Sequence, residues 1–255
     1  MLFYILKKLL LFGYLQALNC LFPVTIFGAM ALTHYVQVPG IARYDLILLI
    51  CLVMQVVMVA TKLETWDELK VICLFHIIGL ALEVYKVKMG SWSYPGEGWS
   101  RVFDVPLYSG FMYASVASYI CQAWRRFKLE MVGWPKMAYA VAISAAIYLN
   151  FFTHHYLWDF RWVLLAGLII VFWRTYVHFT LGEAVYKMPL TLAFVLIGFF
   201  IWIAENIMTF FGAWAYPDQE KQWTLVHVSK ISSWLLLVVI SIIIVAQLKR
   251  VKSAR

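Results

Sequence analysis

The chain has 255 residues, 64% of them hydrophobic and 13% charged, with a formal charge of +8. A composition this apolar, with the apolar residues in long blocks, excludes an ordinary soluble domain and points to a multi-span membrane protein. The basic excess sits in short loops beside those blocks, a pattern that orients a membrane protein and implies no nucleic-acid partner.

The N-terminal stretch holds Lys7, Lys8, an apolar run and Ala29-Met30-Ala31, which imitates a secretory signal. Asn19 and Pro23 interrupt that run, so it reads as a retained first span. Spans are expected near residues 13–34, 45–61, 68–86, 106–124, 135–153, 160–177, 188–211 and 224–247. Each is close to the roughly 20 residues a helix needs to cross the hydrocarbon core. Residues 2–12 are either an interfacial lead-in or an extension of the first span. The expected fold class is an all-α polytopic membrane protein of about eight transmembrane helices. Cys20, Cys51, Cys73 and Cys121 are scattered through apolar segments without CxxC spacing, so they read as buried free thiols.

One stretch occurs twice. Glu83 to Pro95 reads E-V-Y-K-V-K-M-G-S-W-S-Y-P, and Glu205 to Pro217 reads E-N-I-M-T-F-F-G-A-W-A-Y-P. Trp99 and Trp223 follow downstream. Thr33-His34 and Thr153-His154 end corresponding spans, and Arg43 and Arg161 open the next ones. Residues 1–128 and 129–255 therefore read as two four-span repeats. Four is even, so the repeats are parallel, related by an axis along the membrane normal. Fourteen basic residues fall on the side of the N-terminus against seven on the other, which puts both termini in the cytoplasm of a cell with this protein in its inner membrane. Both G-x-W-x-Y-P loops then face outward.

The candidate chemistry lies at those loops. Glu83 is about 21 Å along its span from Leu69, inside a core of about 30 Å, where a carboxylate needs a reason to be. His76 lies two turns earlier on the same face, with Gly79 between them allowing close helix or ligand approach. Glu205 repeats Glu83, but the second half has no histidine at the corresponding place. The candidate catalytic set is thus Glu83, His76 and Glu205. Trp92, Tyr94, Trp214 and Tyr216 are either interfacial anchors or an aromatic wall around a ligand. Asp104, Tyr108, His227 and Lys230 join them at the outer level as candidate binding residues, His227 and Lys230 along one face of the eighth helix. Gly90 and Gly212 supply positive φ after a helix, and Pro95 and Pro217 stop further helix. Glu183 and Lys187 read as a structural i,i+4 helix pair. No HExxH, histidine box, GxSxG or P-loop is present, so neither a metal nor a cofactor is implied.

The whole chain resembles a family of uncharacterised bacterial integral membrane proteins, a domain of unknown function. That resemblance implies a multi-span inner-membrane protein. The stretch His76-x-x-Gly79-x-x-x-Glu83, followed by Gly90, Tyr94 and Pro106, resembles the membrane carotenoid hydratases and, more loosely, the tandem-repeat lycopene cyclases. That second resemblance implies acid chemistry on an isoprenoid double bond, with Glu83 as proton donor and His76 as its partner. The chain departs from that family's phenylalanine-glycine loop in reading Trp-Ser-Tyr-Pro. Three readings therefore stand side by side. The first is acid chemistry on, or binding of, a lipid-soluble isoprenoid near the outer leaflet. The second is a transporter or channel with paired carboxylates, which requires polar residues continuing to the inner side, where the spans read as too apolar for a path apart from Gln55 and the pair Asp67 and Glu68. The third is a structural or sensory protein in which the repeated motif is a folding clasp. The partners implied are the bilayer and a lipid-soluble small molecule; the sequence sets no oligomeric state.

Overall fold

The computed structural model describes residues 2–253, with side chains for residues 3–246. Four basic residues used for orientation, Lys249, Arg250, Lys252 and Arg255, have side chains outside that range. The described chain is mostly helical: α1 (Leu2–Asn19), α2 (Leu21–Tyr35), α3 (Arg43–Ala60), α4 (Trp66–Lys88), α5 (Tyr108–Arg126), α6 (Met137–Thr153), α7 (Arg161–Phe172), α8 (Leu190–Phe210) and α9 (Lys230–Ser253). By length and composition α3 and α8 can each cross a membrane, and α1 with α2 make a third candidate if the bent pair is one span. Among the other helices, α4 is long but carries Lys70, Glu83 and Lys86, while α6 and α7 are apolar and shorter.

Three expected elements are corrected. The first span is not one helix, because the chain bends by 67° between α1 and α2 at Cys20. Pro23 explains the break: it has no N–H for the Asn19 carbonyl, and its ring crowds that carbonyl. Residues 2–12 are helical and continuous with residues 13–19. The expected sixth span stops early, since α7 ends at Phe172 and the chain turns to strand from Tyr176. The helix of the expected eighth span, α9, begins at Lys230, so His227 lies just before it and not on its face.

The all-α expectation holds for most of the described residues, but five short strands among them depart from it. Strands β1 (Arg101–Val102) and β2 (Val105–Pro106) form a small antiparallel hairpin, which takes Pro106 out of the fourth helix. Strands β3 (Glu130–Val132), β4 (Tyr176–Leu181) and β5 (Ala184–Pro189) form an antiparallel sheet in the order β3-β4-β5. The β4–β5 turn is Gly182-Glu183, with Gly182 at φ 64, and a glycine at the first central position is what a two-residue hairpin turn favours. The flanking Tyr, Val, Phe and Thr are good strand formers. Glu183 and Lys187 consequently share no helix; Lys187 pairs with His178 across the sheet and sits over the Tyr176 ring.

The chain falls into two compact units. The first comprises Met1–Phe12, Ala123–Ala204 and Val226–Arg255. Within it, Phe179 of β4 packs ring to ring with Phe12 and Phe127, and Gly198 of α8 lets the backbone of α9 approach at Ile231 and Leu235. The second unit comprises Gly13–Gln122 and Glu205–Leu225, so it contains both copies of the repeated motif.

Arg43, at the start of α3, ties the second unit together. Its guanidinium donates to the carbonyls of Met30 (3.2 Å), Phe211 (2.6 Å) and Gly212 (3.0 Å), the last two at the end of α8. A cation suits a helix C-terminus, where carbonyls lack intrahelical partners. Arg43→Met should therefore lower the stability of the purified protein by about 2–3 kcal/mol, read as a fall in melting temperature in detergent. An unchanged melting temperature would contradict this role.

Candidate functional site

Both motif copies fold alike. Helix α4 opens with a capping box between Thr65 and Glu68 and ends where Gly90 takes φ 67. The Ser91 N–H then bonds the Lys86 carbonyl at 3.0 Å. In the second copy Gly212 takes φ 63, and the Ala213 N–H bonds the Met208 carbonyl at 3.0 Å. These are the same left-handed helix stop, so each loop turns back towards the Glu of its own helix.

Glu83 is 3% exposed and accepts three hydrogen bonds. Trp92 Nε1 and Tyr94 Oη donate to Glu83 Oε2 at 2.7 and 2.6 Å, and Tyr113 Oη of α5 donates to Oε1 at 2.8 Å. Glu205 is 2% exposed and accepts from Tyr216 Oη. Tyr94 and Tyr216 occupy the same motif position, eleven residues after their Glu. Burial, and after it the neighbouring carboxylate charge, pushes both loop phenols well above their ordinary range. They remain protonated and act as donors.

The two copies meet. Ser93 and Ala215, equivalent motif positions, form an antiparallel bridge with N–H···O distances of 2.9 and 3.0 Å. The Trp92 and Tyr216 rings cross edge to face at 6.0 Å. One buried cluster thus holds two carboxylates and the tyrosines that donate to them.

A second layer supports it. Tyr108 Oη donates to the Ala213 carbonyl at 2.8 Å, and Tyr44 Oη reaches the same oxygen at 3.3 Å. The Tyr44, Tyr94 and Tyr108 rings pack together at 5.2–6.2 Å. Asp45 accepts from the backbone N–H groups of Trp99 and Ser100, both at 2.8 Å, and Arg101 donates to the carbonyls of Tyr94, Gly96 and Asp104.

The other sequence candidates lie as follows. His76 makes no hydrogen bond to Glu83; its Nδ1 is buried without a partner, and its ring packs on Phe111 at 4.5 Å and beside Gly110. Seven residues along a helix is about 10.5 Å, beyond hydrogen-bond reach. Gly79 is filled by Tyr113, where a Cβ would meet its ring at 2.4 Å. The stripe His76-Gly79-Glu83 is therefore the seam that receives α5. Trp214 is buried and hydrogen-bonds the Tyr216 hydroxyl. Asp104 is exposed at the hairpin turn with φ 66. His227 and Lys230 belong to the first unit, where exposed His227 Nδ1 contacts Ser229 Oγ at 2.8 Å. Among the described residues no three His, Cys, Asp or Glu side chains gather to hold a metal ion.

Sequence reasoning missed Glu64. It is 2% exposed in the turn between α3 and α4, accepting from Gln55 Nε2 at 2.5 Å and from Ser118 Oγ. The available signal was the polar content of the expected fourth span, which carries Ser109, Ser115, Ser118 and Gln122; all four are buried.

Residues 8–242 match the family described as protein of unknown function (DUF817). The chain belongs to that family. A relative, the uncharacterized protein YoaT of Bacillus subtilis (strain 168), is 62% identical over 246 residues, covering 96% of this chain and 93% of its own. A crystal structure of a cross-linked MvINS trimer is similar with a TM-score of 0.48 and 15% identity, over 70% of this chain and 91% of that one.

Because Tyr94 is buried and its hydroxyl ends on a carboxylate, Tyr94→Phe should cost about 1–3 kcal/mol. Gly79→Ala, forced against the Tyr113 ring, should cost a similar amount. Thermal unfolding in detergent measures both. Wild-type stability in either variant would contradict the clasp geometry.

Proposed function

We propose that this member of the DUF817 family is an eight-span inner-membrane protein, both termini cytoplasmic, in which the Glu83–Glu205 cluster exchanges a proton or small cation during transport. The observation that carries this reading is that two buried carboxylates, one from each motif copy, are held by loops that bond through Ser93 and Ala215 and touch through the Trp92 and Tyr216 rings. Two like charges in a low-dielectric site repel, and a proton or cation held between them relieves that repulsion. Buried acids in membrane spans mark ion and proton paths for this reason. The polar residues that a path requires towards the inner side are supplied by Ser118, Gln122 and Glu64.

Two four-span repeats, residues 1–128 and 129–255, related by an axis along the membrane normal, fit the pairing of Ser93 with Ala215. Equivalent residues pair antiparallel with each other when a local two-fold axis passes between them. A second reading keeps Glu83 as an acid acting on a lipid-soluble polyene, and the ring of Trp92, Tyr94 and Tyr113 around its carboxylate favours it. An absorbance and mass spectrum of the purified protein separates the two, since only the second reading expects a co-purified isoprenoid.

The transport reading is tested in liposomes with a trapped pH-sensitive dye and a clamped membrane potential. The protein should raise proton flux above that of empty vesicles, and Glu83→Gln and Glu205→Gln should each reduce it roughly tenfold or more without loss of insertion. Flux equal to empty vesicles, or variants as active as wild type, would sink the proposal.

A further inference from the structure

Glu64 lies at the opposite end of α4 from Glu83 along the chain, and the outer cluster makes no use of it. Gln55 of α3 and Ser118 of α5 hold its carboxylate, and Gln122 Nε2 reaches Ser118 Oγ at 3.5 Å. The Glu64 N–H is tied to the Met58 carbonyl at 2.9 Å, which fixes the turn. Of the acids beside it in the chain, Glu68 closes the capping box on Thr65, and Asp67 pairs with Lys70 at the surface at 3.2 Å.

Three observations point beyond a structural role. The Ser118 hydroxyl can both donate and accept, so its bond to Glu64 survives when the carboxylate takes up a proton. The Gln55 amide is oriented by Glu64, because turning it over would set Oε1 against the carboxylate. Held this way, Gln55 Oε1 is buried without a donor. Lastly, Gln55 lines a crevice of about 370 Å³ with Val56, Val59, Ala60, Trp66 and Leu69. Val56, Ala60 and Trp66 are exposed, so the crevice opens outward from α3 and α4. Its lining is almost wholly apolar. The residue at its wall is thus the one that covers a buried acid. Along α5, Ser118 follows the Glu83 ligand Tyr113 by five residues, about 7.5 Å of helix rise.

We propose that Glu64 is a proton-exchange site at the inner end of α3 and α4, entered through this crevice, with Gln55 as the side chain that covers it. As the inner counterpart of the Glu83–Glu205 cluster it rests on the transport reading; as a reactive buried acid it stands alone.

Dicyclohexylcarbodiimide, an apolar reagent, tests it on the intact protein in detergent. A protonated carboxyl gives its proton to one carbodiimide nitrogen while its oxygen bonds the central carbon, and the O-acylisourea rearranges to a stable N-acylurea. Peptide mass spectrometry should find this adduct on Glu64, forming faster as pH falls and absent in Glu64→Gln. Val56→Trp, which fills the crevice from an exposed position, should slow labelling roughly tenfold at unchanged melting temperature. Absence of the Glu64 adduct in the wild-type protein, or labelling indifferent to Val56→Trp, would overturn the proposal. Labelling of Glu64 in a protein that conducts no protons would instead uphold this site and remove the transport reading.

Discussion

The demand that a buried carboxylate be met by donors organises the second unit. Glu83 takes donors from its own loop, Trp92 and Tyr94, and from a separate helix, Tyr113. In a medium of low dielectric an unmet carboxylate costs several kcal/mol, so each donor's position is constrained. The loop must fold back over α4, which explains a glycine at positive φ followed by Trp and Tyr at fixed spacing. Helix α5 must come close enough for a tyrosine to reach, which explains Gly79 beneath the Tyr113 ring. Glu205 and Tyr216 repeat the arrangement, and the two loops bond through Ser93 and Ala215.

The same demand makes stability and chemistry hard to separate at this site. The atoms that hold the loops in shape are those a proton or cation would meet. Tyr94 and Tyr216, kept protonated by burial and by the carboxylates they face, donate to the acids and cannot readily compete with them for negative charge. Arg43 on the Met30 carbonyl of α2 and the end of α8, and Tyr44 with Tyr108 on the Ala213 carbonyl, form an outer support that fixes the second motif copy. Glu64 is built differently: an amide and a hydroxyl hold it beside an open crevice. A hydroxyl partner adapts to either protonation state.

Much of this was legible in the sequence because the signals were local and repeated. Helices α3, α4, α5, α6 and α8 stand within a few residues of where apolar blocks place them, and the E-x6-GxWxYP spacing marks the residues of the clasp. What was not legible depends on contacts between distant segments. Hydropathy alone reads straight through Cys20, where the loss of one hydrogen bond at Pro23 bends the chain. The β4–β5 hairpin lies within an apolar stretch, and only Gly182 and the strand-forming residues around it mark it. His76 shares a helical face with Glu83, but a face is not a contact, and α5 fills the space between. Glu64 sits in a short turn that reads as solvent-exposed until Ser118 and Gln55 are seen to enclose it.

The central claim, that Glu83 and Glu205 act as one coupled unit, is tested most directly by a double-mutant cycle on stability. Glu83→Gln, Glu205→Gln and the double variant would be unfolded in the same detergent and compared with wild type. Charges and hydrogen bonds shared within one buried cluster predict an interaction energy of about 0.5–3 kcal/mol. Effects that add to within about 0.3–0.5 kcal/mol would show two independent clasps and contradict the account.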